Sequence, residues 1–245
     1  EPCLYYFYDD SEGEPLWVMI LVQVDDYLMA TNSSAYKAAF IEAYNKVFDL
    51  VDLWMLEYVI QTKVDKVDES FELSQTRQID QLMIKYNLEG ARTFDTPMEP
   101  GLQLEKGTGE IDQSIPYLNL IGSLFWIARV YRPDIMFPTM YLSQFSNSYT
   151  HEHFTHAKRI VRYLMHTRDY VFRITPEIPE VYGQITISGY GDSDWASDIH
   201  DRKSVCGGVV LLNGAVVDWS SKKQATVACS TPEAEYMGGS ELAKD

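Results

Sequence analysis

The sequence predicts an α+β fold in which antiparallel hairpins alternate with amphipathic helices. Two apolar, β-favouring runs, Leu4 to Tyr8 and Leu16 to Val24, flank a turn-forming segment, which is the pattern of a hairpin. Apolar residues recur at helical spacing in several later stretches, among them 151–167. Strand-like runs return after residue 184, where Asn213-Gly214 is typical of a tight hairpin turn. Strand-like runs and helical spacing in the same chain favour a mixed α+β architecture.

The predicted elements follow in chain order. Ser33 and Ser34 can cap a helix that carries Tyr36, Phe40, Val47 and Phe48 on one side. We then expect a hairpin at 58–74, helices at 75–86, 121–130, 135–145 and 151–167, strands at 185–191, 205–212 and 216–219, and a final helix at 232–244. Prolines and glycines at 97–101, and Pro176 with Pro179, mark surface connections. The chain therefore divides into three predicted parts, 1–92, 93–175 and 184–245.

Composition and charge narrow the class of protein. A chain of 245 residues that is 46% hydrophobic can bury a sizeable core. The net charge of −16 argues against a stand-alone nucleic-acid binder, because phosphate contacts supply most non-specific affinity. Cys3, Cys206 and Cys229 are scattered and lack metal-ligand spacing, which predicts free thiols in a reducing compartment. With neither a basic leader nor an apolar run of about 20 residues, we expect a cytoplasmic or nuclear protein that is neither secreted nor membrane-bound.

Asp25 and Asp26 are the first candidate site. They lie between apolar runs, so we expect them at or near the tip of a hairpin. An enzyme that transfers nucleotides needs carboxylates to hold two divalent cations about 4 Å apart, which align a 3′-hydroxyl and neutralise developing charge. Adjacent aspartates alone are a weak signal, because Asp9-Asp10 is the same pair in an ordinary solvated turn.

Ordered motifs along nearly the whole chain give that pair its context. They are Glu1-Pro2-Cys3-Leu4-Tyr5, Val22-Gln23-Val24-Asp25-Asp26, Leu73-Ser74-Gln75, Leu120-Ile121-Gly122-Ser123-Leu124, Arg132-Pro133-Asp134-Ile135 and Arg162-Tyr163-Leu164. Together they resemble the Pol polyprotein of copia-type (Pseudoviridae) long-terminal-repeat retrotransposons. Two departures stand out. Gln23 replaces a tyrosine that lies beside the primer terminus in that family, and Leu53-Trp54-Met55-Leu56 replaces a glycine-containing segment.

The resemblance implies a reverse transcriptase palm hairpin with a helical thumb or connection region, followed by an incomplete ribonuclease H-like mixed sheet with one helix. It implies that Asp25 and Asp26 are catalytic metal ligands, with two Mg²⁺ or Mn²⁺ ions per active site in the intact parent. RNA template, DNA primer, RNA–DNA hybrid and other parts of the polyprotein are the implied partners. The chain lacks one polymerase aspartate and the later ribonuclease H aspartates of that family. We therefore expect a fragment that is inactive alone; the alternative is a non-catalytic remnant that serves as an interaction module.

A second candidate site lies in the C-terminal part. Gly189 to Ala196 resembles the first strand of the copia ribonuclease H domain, in which two metals are held by carboxylates from the first strand, the first helix and a later strand. The resemblance assigns the first carboxylate to Asp192, as a catalytic metal ligand. Asp194 shares its face by the alternation of side chains along a strand and stays an alternative.

The first helix of that domain offers two glutamates. Ser230-x-x-Glu233 is a capping-box pattern, which gives Glu233 a structural role at the helix start. Glu235 is therefore the favoured metal ligand, and Glu233 the alternative. We expect Glu235 on a stripe with Gly238, Gly239 and Leu242, where small residues let the helix approach the sheet near Asp192.

The helix predicted at 151–167 carries four histidines and the cations Lys158, Arg159 and Arg162. The histidine spacing fits no single helical face, so polar side chains pointing outward are favoured over a zinc site. The alternative interpretation is that the three cations contact a nucleic-acid backbone. Together with Gln23, they form the predicted nucleic-acid-binding set. The large apolar rings are expected mainly in the core, namely Trp54, Trp126, Trp195 and Trp219.

Overall fold

The computed structural model describes residues 3–11, 13–177 and 184–244. The chain forms two compact units, Glu1–Glu57 and Tyr58–Asp245. Three antiparallel sheets and six α-helices in the described residues confirm the α+β prediction. Pro179 and the first two residues of the N-terminal motif lie outside the described residues. The predicted division of the chain into the parts 1–92, 93–175 and 184–245 stays a prediction.

The first unit is a meander followed by one helix. Strands β1 (Leu4–Asp9), β2 (Leu16–Gln23) and β3 (Asp26–Thr31) pair in the order β1-β2-β3. Ser33 caps helix α1 (Ser34–Tyr44), because its Oγ accepts from the Tyr36 N–H at 3.1 Å. The helix ends before Val47 and Phe48, which are 73% and 60% exposed. Their predicted place on its apolar side is therefore wrong.

The second unit begins with a four-stranded sheet. Its strands β4 (Tyr58–Val59), β5 (Thr62–Val67), β6 (Ser70–Ser74) and β7 (Phe172–Ile174) pair in sequence order. Ile60 and Gln61 form the first turn with φ of 49° and 61°, the left-handed values that a tight hairpin turn requires. The predicted hairpin at 58–74 is confirmed.

Helices build most of the core of the second unit. They are α2 (Thr76–Lys85), α3 (Tyr117–Val130), α4 (Met136–Ser143) and α5 (His151–His166), with a 3-10 turn at Pro133–Ile135 before α4. Their apolar faces meet at Ile79, Leu124, Ile127, Ile160 and Leu164, each at most 1% exposed. Burial of each such side chain contributes about 1.5–3 kcal/mol. None of the helices in the described ranges has the length and apolarity of a membrane span.

The C-terminal part is a second three-stranded sheet with a helix on one face. Strands β8 (Ile187–Asp194), β9 (Val205–Leu212) and β10 (Ala215–Lys223) pair in the order β10-β9-β8, and helix α6 (Thr231–Leu242) packs on β8 and β9. Asn213 and Gly214 have φ of 46° and 75°, which confirms the predicted turn. On β10, Trp219 donates its Nε1–H to Ala128 O in α3 at 2.7 Å, so the sheet is packed against the helical core.

Only one of the four tryptophans expected in the core is buried. Trp219 is 6% exposed, whereas Trp54, Trp195 and Trp126 are 83%, 46% and 39% exposed. Trp54 lies in the loop after α1 and has a left-handed φ of 65°. Apolar character alone did not separate these residues, because burial depends on which element lies opposite each ring.

Candidate functional site

Asp25 and Asp26 lie at the tip of the β2–β3 hairpin, as predicted. Gln23 and Asp26 are the last paired residues, so Val24 and Asp25 form a two-residue turn. Val24 has a φ of 56°, and a left-handed conformation costs a β-branched residue about 1–3 kcal/mol. The turn therefore presents both carboxylates from a backbone that is tightly constrained.

Both carboxylates and the neighbouring Gln23 are exposed. Neither Asp25 nor Asp26 has a side-chain hydrogen bond or ion pair within the described part of the chain. They offer the hard oxygen ligands that Mg²⁺ and Mn²⁺ prefer. However, no group of three His, Cys, Asp or Glu placed to hold a metal ion occurs in residues 3–11, 13–177 and 184–244. The pair is thus an open, two-carboxylate arrangement.

Asp192 and Asp194 lie at the end of β8 and share one face of the sheet. Side chains at Gly189 and Gly191 would meet Leu242 of α6 at 3.1 Å and 3.2 Å. Asp192, which follows Gly191 directly, therefore projects from the face opposite α6, and Asp194 does the same. Both aspartates are exposed, and Asp194 also lines a cavity of about 250 Å³ against the helical region.

Glu233 has the structural role that its capping pattern predicted. Ser230 Oγ accepts from the Glu233 N–H at 3.4 Å, and Glu233 Oε2 accepts from the Cys229 N–H at 2.7 Å. The carboxylate thereby satisfies a backbone donor at the start of α6, where negative charge also favours the helix dipole. Whether Glu233 or Glu235 holds a metal stays a prediction.

The face that α6 presents to the sheet differs from the expected stripe. Ala234 and Gly238 are buried, and Leu242 packs on the glycines of β8. A Cβ at Gly238 would collide with Ser193 Oγ, so a side chain there would separate helix and sheet. Glu235 and Gly239 are exposed. They lie about 100° further around the helix than Ala234 and Gly238, so Glu235 is not on the stripe that packs against the sheet. A joint metal site of Glu235 and Asp192 stays a prediction.

The three cations predicted to contact nucleic acid have partners inside the chain. Arg159 and Arg162 both contact the Phe94 ring, with guanidinium carbons 4.0 Å and 4.4 Å from its centroid. Arg159 also donates to Glu99 Oε1 at 2.8 Å, and Lys158 Nζ lies 4.8 Å from the ring of Phe154. The contacts of Arg159 and Arg162 hold segment 92–99 on α5, whereas the Lys158 contact lies within α5. A role in nucleic-acid binding stays a prediction.

The histidines of α5 lie in different environments. His153 is 0% exposed, which corrects the expectation that the polar side chains of this helix point outward. Its Nδ1 accepts from the Thr150 N–H at 3.1 Å and thus caps the helix. Burial lowers the pKa of His153 below its ordinary value and outweighs the opposing effect of Glu152. His166 lies 3.3 Å from Asp95 on the outside.

Comparison with known proteins identifies the family. A retrovirus-related Pol polyprotein from transposon RE1 of Arabidopsis thaliana is 34% identical over 221 residues, which are 89% of this chain. The Pol polyprotein from transposon TNT 1-94 of Nicotiana tabacum is 29% identical over 255 residues that span the whole chain. The chain belongs to the Pol polyproteins of copia-type retrotransposons.

This Pol sequence is short beside those relatives. It spans only 15% of the length of the RE1 polyprotein and 18% of the TNT 1-94 polyprotein. A secreted RxLR effector protein 161 of Plasmopara viticola is 38% identical over 133 residues, which are 54% of this chain and 90% of the effector. No family model matches the chain. No solved structure matches it either.

One Pol motif, Arg132-Pro133-Asp134, builds the core rather than a binding surface. Arg132 is 2% exposed and makes a two-point contact with Asp134 at 2.9 Å and 2.7 Å. It also donates to Thr167 O and Oγ1, while Tyr163 OH donates to Asp134 at 2.7 Å. Burial alone would raise the pKa of Asp134, but the bonds from Arg132 and Tyr163 lower it below its ordinary value. Sequence reasoning noted this motif only as a landmark, because the partners lie about thirty residues away.

Proposed function

We propose that this Pol chain is part of an RNA-directed DNA polymerase joined to a ribonuclease H. In the longer parent it would copy the element's RNA into DNA and degrade the RNA of the resulting hybrid. The observation that supports this most is the position of Asp25 and Asp26 at the tip of a tight hairpin in a chain of the Pol family. The parent would act in the cytoplasm, in virus-like particles, or in the nucleus.

Divalent ions would supply the chemistry at both proposed centres. Mg²⁺ or Mn²⁺ neutralises developing charge and aligns the reacting oxygens. Asp25 and Asp26 would hold ions at the first centre, and Asp192, with Asp194 or Glu235, at the second. Because the described residues contain no three-ligand group, we expect the isolated chain to bind these ions weakly and to turn over negligibly. The remaining metal ligands would be supplied only in the longer parent. RNA template, DNA primer and RNA–DNA hybrid would also bind only there.

Primer extension on an RNA template tests the polymerase proposal. We expect no extension by this chain and clear extension by a longer Pol parent. Asp25→Asn and Asp26→Asn in the parent should each reduce extension to background. Asp10→Asn is the matched control, because it removes an exposed carboxylate from the other turn of the same meander. Equal losses in all three variants, or an inactive parent that is folded, would refute the proposal.

Cleavage of RNA in an RNA–DNA hybrid tests the second centre and the alternatives left open there. Asp192→Asn and Asp194→Asn in the parent identify which carboxylate of β8 is required. Glu235→Gln is compared with Glu233→Gln, in which the amide oxygen can still accept from the Cys229 N–H and keep the cap. We expect loss of cleavage in Asp192→Asn and Glu235→Gln only. Full activity in Glu235→Gln would remove this residue from the site.

A non-catalytic interaction module is the second candidate function. The similarity to effector protein 161 favours it, because a sequence related to this chain makes up 90% of that protein. This candidate predicts a stably folded 245-residue chain whose longer parent shows neither activity, with or without Mn²⁺. A parent that extends primers would exclude it.

A further inference from the structure

The outer strand of the first unit, β1, has one open edge. It pairs with β2 on one side, and no strand pairs with its other side among residues 3–11, 13–177 and 184–244. All six residues of β1 are exposed, and Tyr6 is 82% exposed. The register with β2 runs without a bulge from Leu4 to Asp9. The edge is therefore regular and accessible, and neither proposed activity uses it.

The backbone groups that point away from β2 belong to alternate residues of β1. The Val22 N–H donates to Cys3 O at 2.9 Å, so the odd-numbered residues of β1 form the hydrogen-bonded pairs with β2. The N–H and C=O groups of Leu4, Tyr6 and Tyr8 therefore point towards the open edge. Such a row of backbone donors and acceptors is a template on which another strand can pair.

The sequence of β1 has none of the features that usually protect an edge strand. Proline, lysine and bulges block such edges because they remove a donor, add a charge or bend the strand. Residues 4–8 contain no proline and no charged side chain, and Asp9 ends the strand. The other outer strand, β3, is mostly half-buried and begins with the exposed Asp26. β1 is thus the edge of this sheet that is suited to pairing.

The side chains of β1 are divided between the two faces of the sheet. Phe7 stacks on Tyr36 of α1, with ring centroids 6.1 Å apart, so the odd-numbered side chains lie on the α1 side. Leu4, Tyr6 and Tyr8 lie on the opposite face. An added strand would therefore meet aromatic side chains on both faces, and cross-strand aromatic pairs stabilise a sheet.

We propose that β1 pairs with β1 of a second copy of this chain, antiparallel about a two-fold axis at Tyr6. In this register Tyr6 faces Tyr6, and Leu4 faces Tyr8 of the other copy. All three residues that point towards the open edge then form hydrogen-bonded pairs, each of which exchanges two bonds. Tyr5 faces Phe7 between these pairs. The pattern of the edge is symmetric about Tyr6, so a second copy satisfies every donor and acceptor of the row.

Charge and contact area also fit a second copy. Asp9 falls at the end of the paired segment, opposite Cys3 of the other copy, so no like charges face each other in this register. Four aromatic side chains per copy lie at the contact, and each can bury about 150–250 Å². Covering their exposed parts in both copies buries roughly 1,000 Å², the level at which a specific interface begins. Because both copies use the same edge, the contact closes at a dimer.

Analytical ultracentrifugation of the full chain tests the dimer. Association should increase with salt, because copies of net charge −16 repel each other at low ionic strength. Tyr6→Lys should weaken the dimer at least about tenfold, since two like charges then face each other at the axis. Tyr236→Lys in α6 is the matched control, because Tyr236 is 83% exposed, and should leave association unchanged. Far-UV circular dichroism verifies that both variants are folded.

Disulfide trapping tests the register. Cys3→Ser/Cys229→Ser first removes the two exposed thiols. In this background Tyr6→Cys should give a disulfide-linked dimer on oxidation, because the Cα atoms of such a pair lie about 5.5 Å apart and disulfides span about 4.4–6.8 Å. Tyr8→Cys is the control on the same face of the same strand. The two Tyr8 positions are offset by four residues in this register, or about 14 Å, so this variant should not crosslink.

Four results would overturn the proposal. They are a monomer at every concentration, equal association of Tyr6→Lys and the unsubstituted chain, equal crosslinking of Tyr6→Cys and Tyr8→Cys, and association that weakens as salt is added. Asp25→Asn/Asp192→Asn should dimerise as the unsubstituted chain does, because the contact uses none of the candidate catalytic carboxylates. Loss of polymerase or nuclease activity therefore leaves this result unaffected, so the two proposals fail separately.

Discussion

The Arg132–Asp134 pair should contribute far more to stability than an exposed pair of the same geometry. Asp134→Ala leaves the Arg132 side chain, which is 3% exposed, without its charge partner. Removing one member of a buried ion pair costs about 3–5 kcal/mol. Thr167 still accepts two bonds from Arg132, so we expect the lower part of this range. Urea unfolding of the second unit, followed by far-UV circular dichroism, measures the loss.

The chain contains a matched control for this prediction. Arg168 makes a two-point contact with Asp80 at 2.7 Å and 2.7 Å, but the two side chains are 40% and 38% exposed. Asp80→Ala should therefore cost only about 0.2–1 kcal/mol. Equal losses in Asp80→Ala and Asp134→Ala would refute the reasoning, because burial is the difference between the two pairs.

A double-mutant cycle then isolates the pair itself. Arg132→Met fills the same space without charge, and the carboxylate left behind is 35% exposed and can be hydrated. Arg132→Met/Asp134→Ala should be less destabilised than the sum of the single variants by about 2–3 kcal/mol. Because the pKa of Asp134 is lowered in the folded state, its contribution is complete above its unfolded pKa of about 3.9 and is lost as the pH falls below it. Additive single effects would show that the two residues act independently.

Three further predictions test other parts of the chain. Trp54→Gly should stabilise the first unit by about 0.5–1 kcal/mol in thermal unfolding, because φ is 65° at this position and glycine adopts this value without strain. Trp54→Ala keeps the strained backbone and is the control. Equal gains in stability in both variants would contradict the prediction. His153→Gln keeps an acceptor for the Thr150 N–H but cannot titrate. The lowered pKa of His153 makes the stability of the unsubstituted chain fall as the pH drops below about 6.5. The urea midpoint of His153→Gln should therefore change less between pH 7 and pH 5 than the midpoint of the unsubstituted chain. The same pH dependence of the midpoint in both proteins would show that the histidine is not responsible. Phe94→Ala removes two cation–π contacts worth about 0.5–1 kcal/mol each and should expose segment 92–99 to trypsin; unchanged digestion would show that other contacts hold it.

Local chemistry accounts for the elements that sequence reasoning predicted well. Apolar, β-favouring runs on both sides of Asp25-Asp26 predict a hairpin tip, because buried strands and a polar turn have few other arrangements. Asn213-Gly214 predicts its turn because those residues adopt left-handed φ at low cost. Ser230 with Glu233 predicts a helix start, because the cap needs only neighbours within one turn. In each case the interacting groups lie within a few residues of one another.

Tertiary packing decided what local patterns left open. The resemblance to the Pol family, the hairpin tip and the cap of α6 could all be predicted from the amino-acid sequence alone. Only the structure showed that Arg159 and Arg162 both contact Phe94, that Ala234 rather than Glu235 faces the sheet, and that Trp219 is buried while Trp54 is exposed. The physical reason is the same for each. Periodicity states which residues share a face, but the partner of that face comes from another element, often many tens of residues away in the chain.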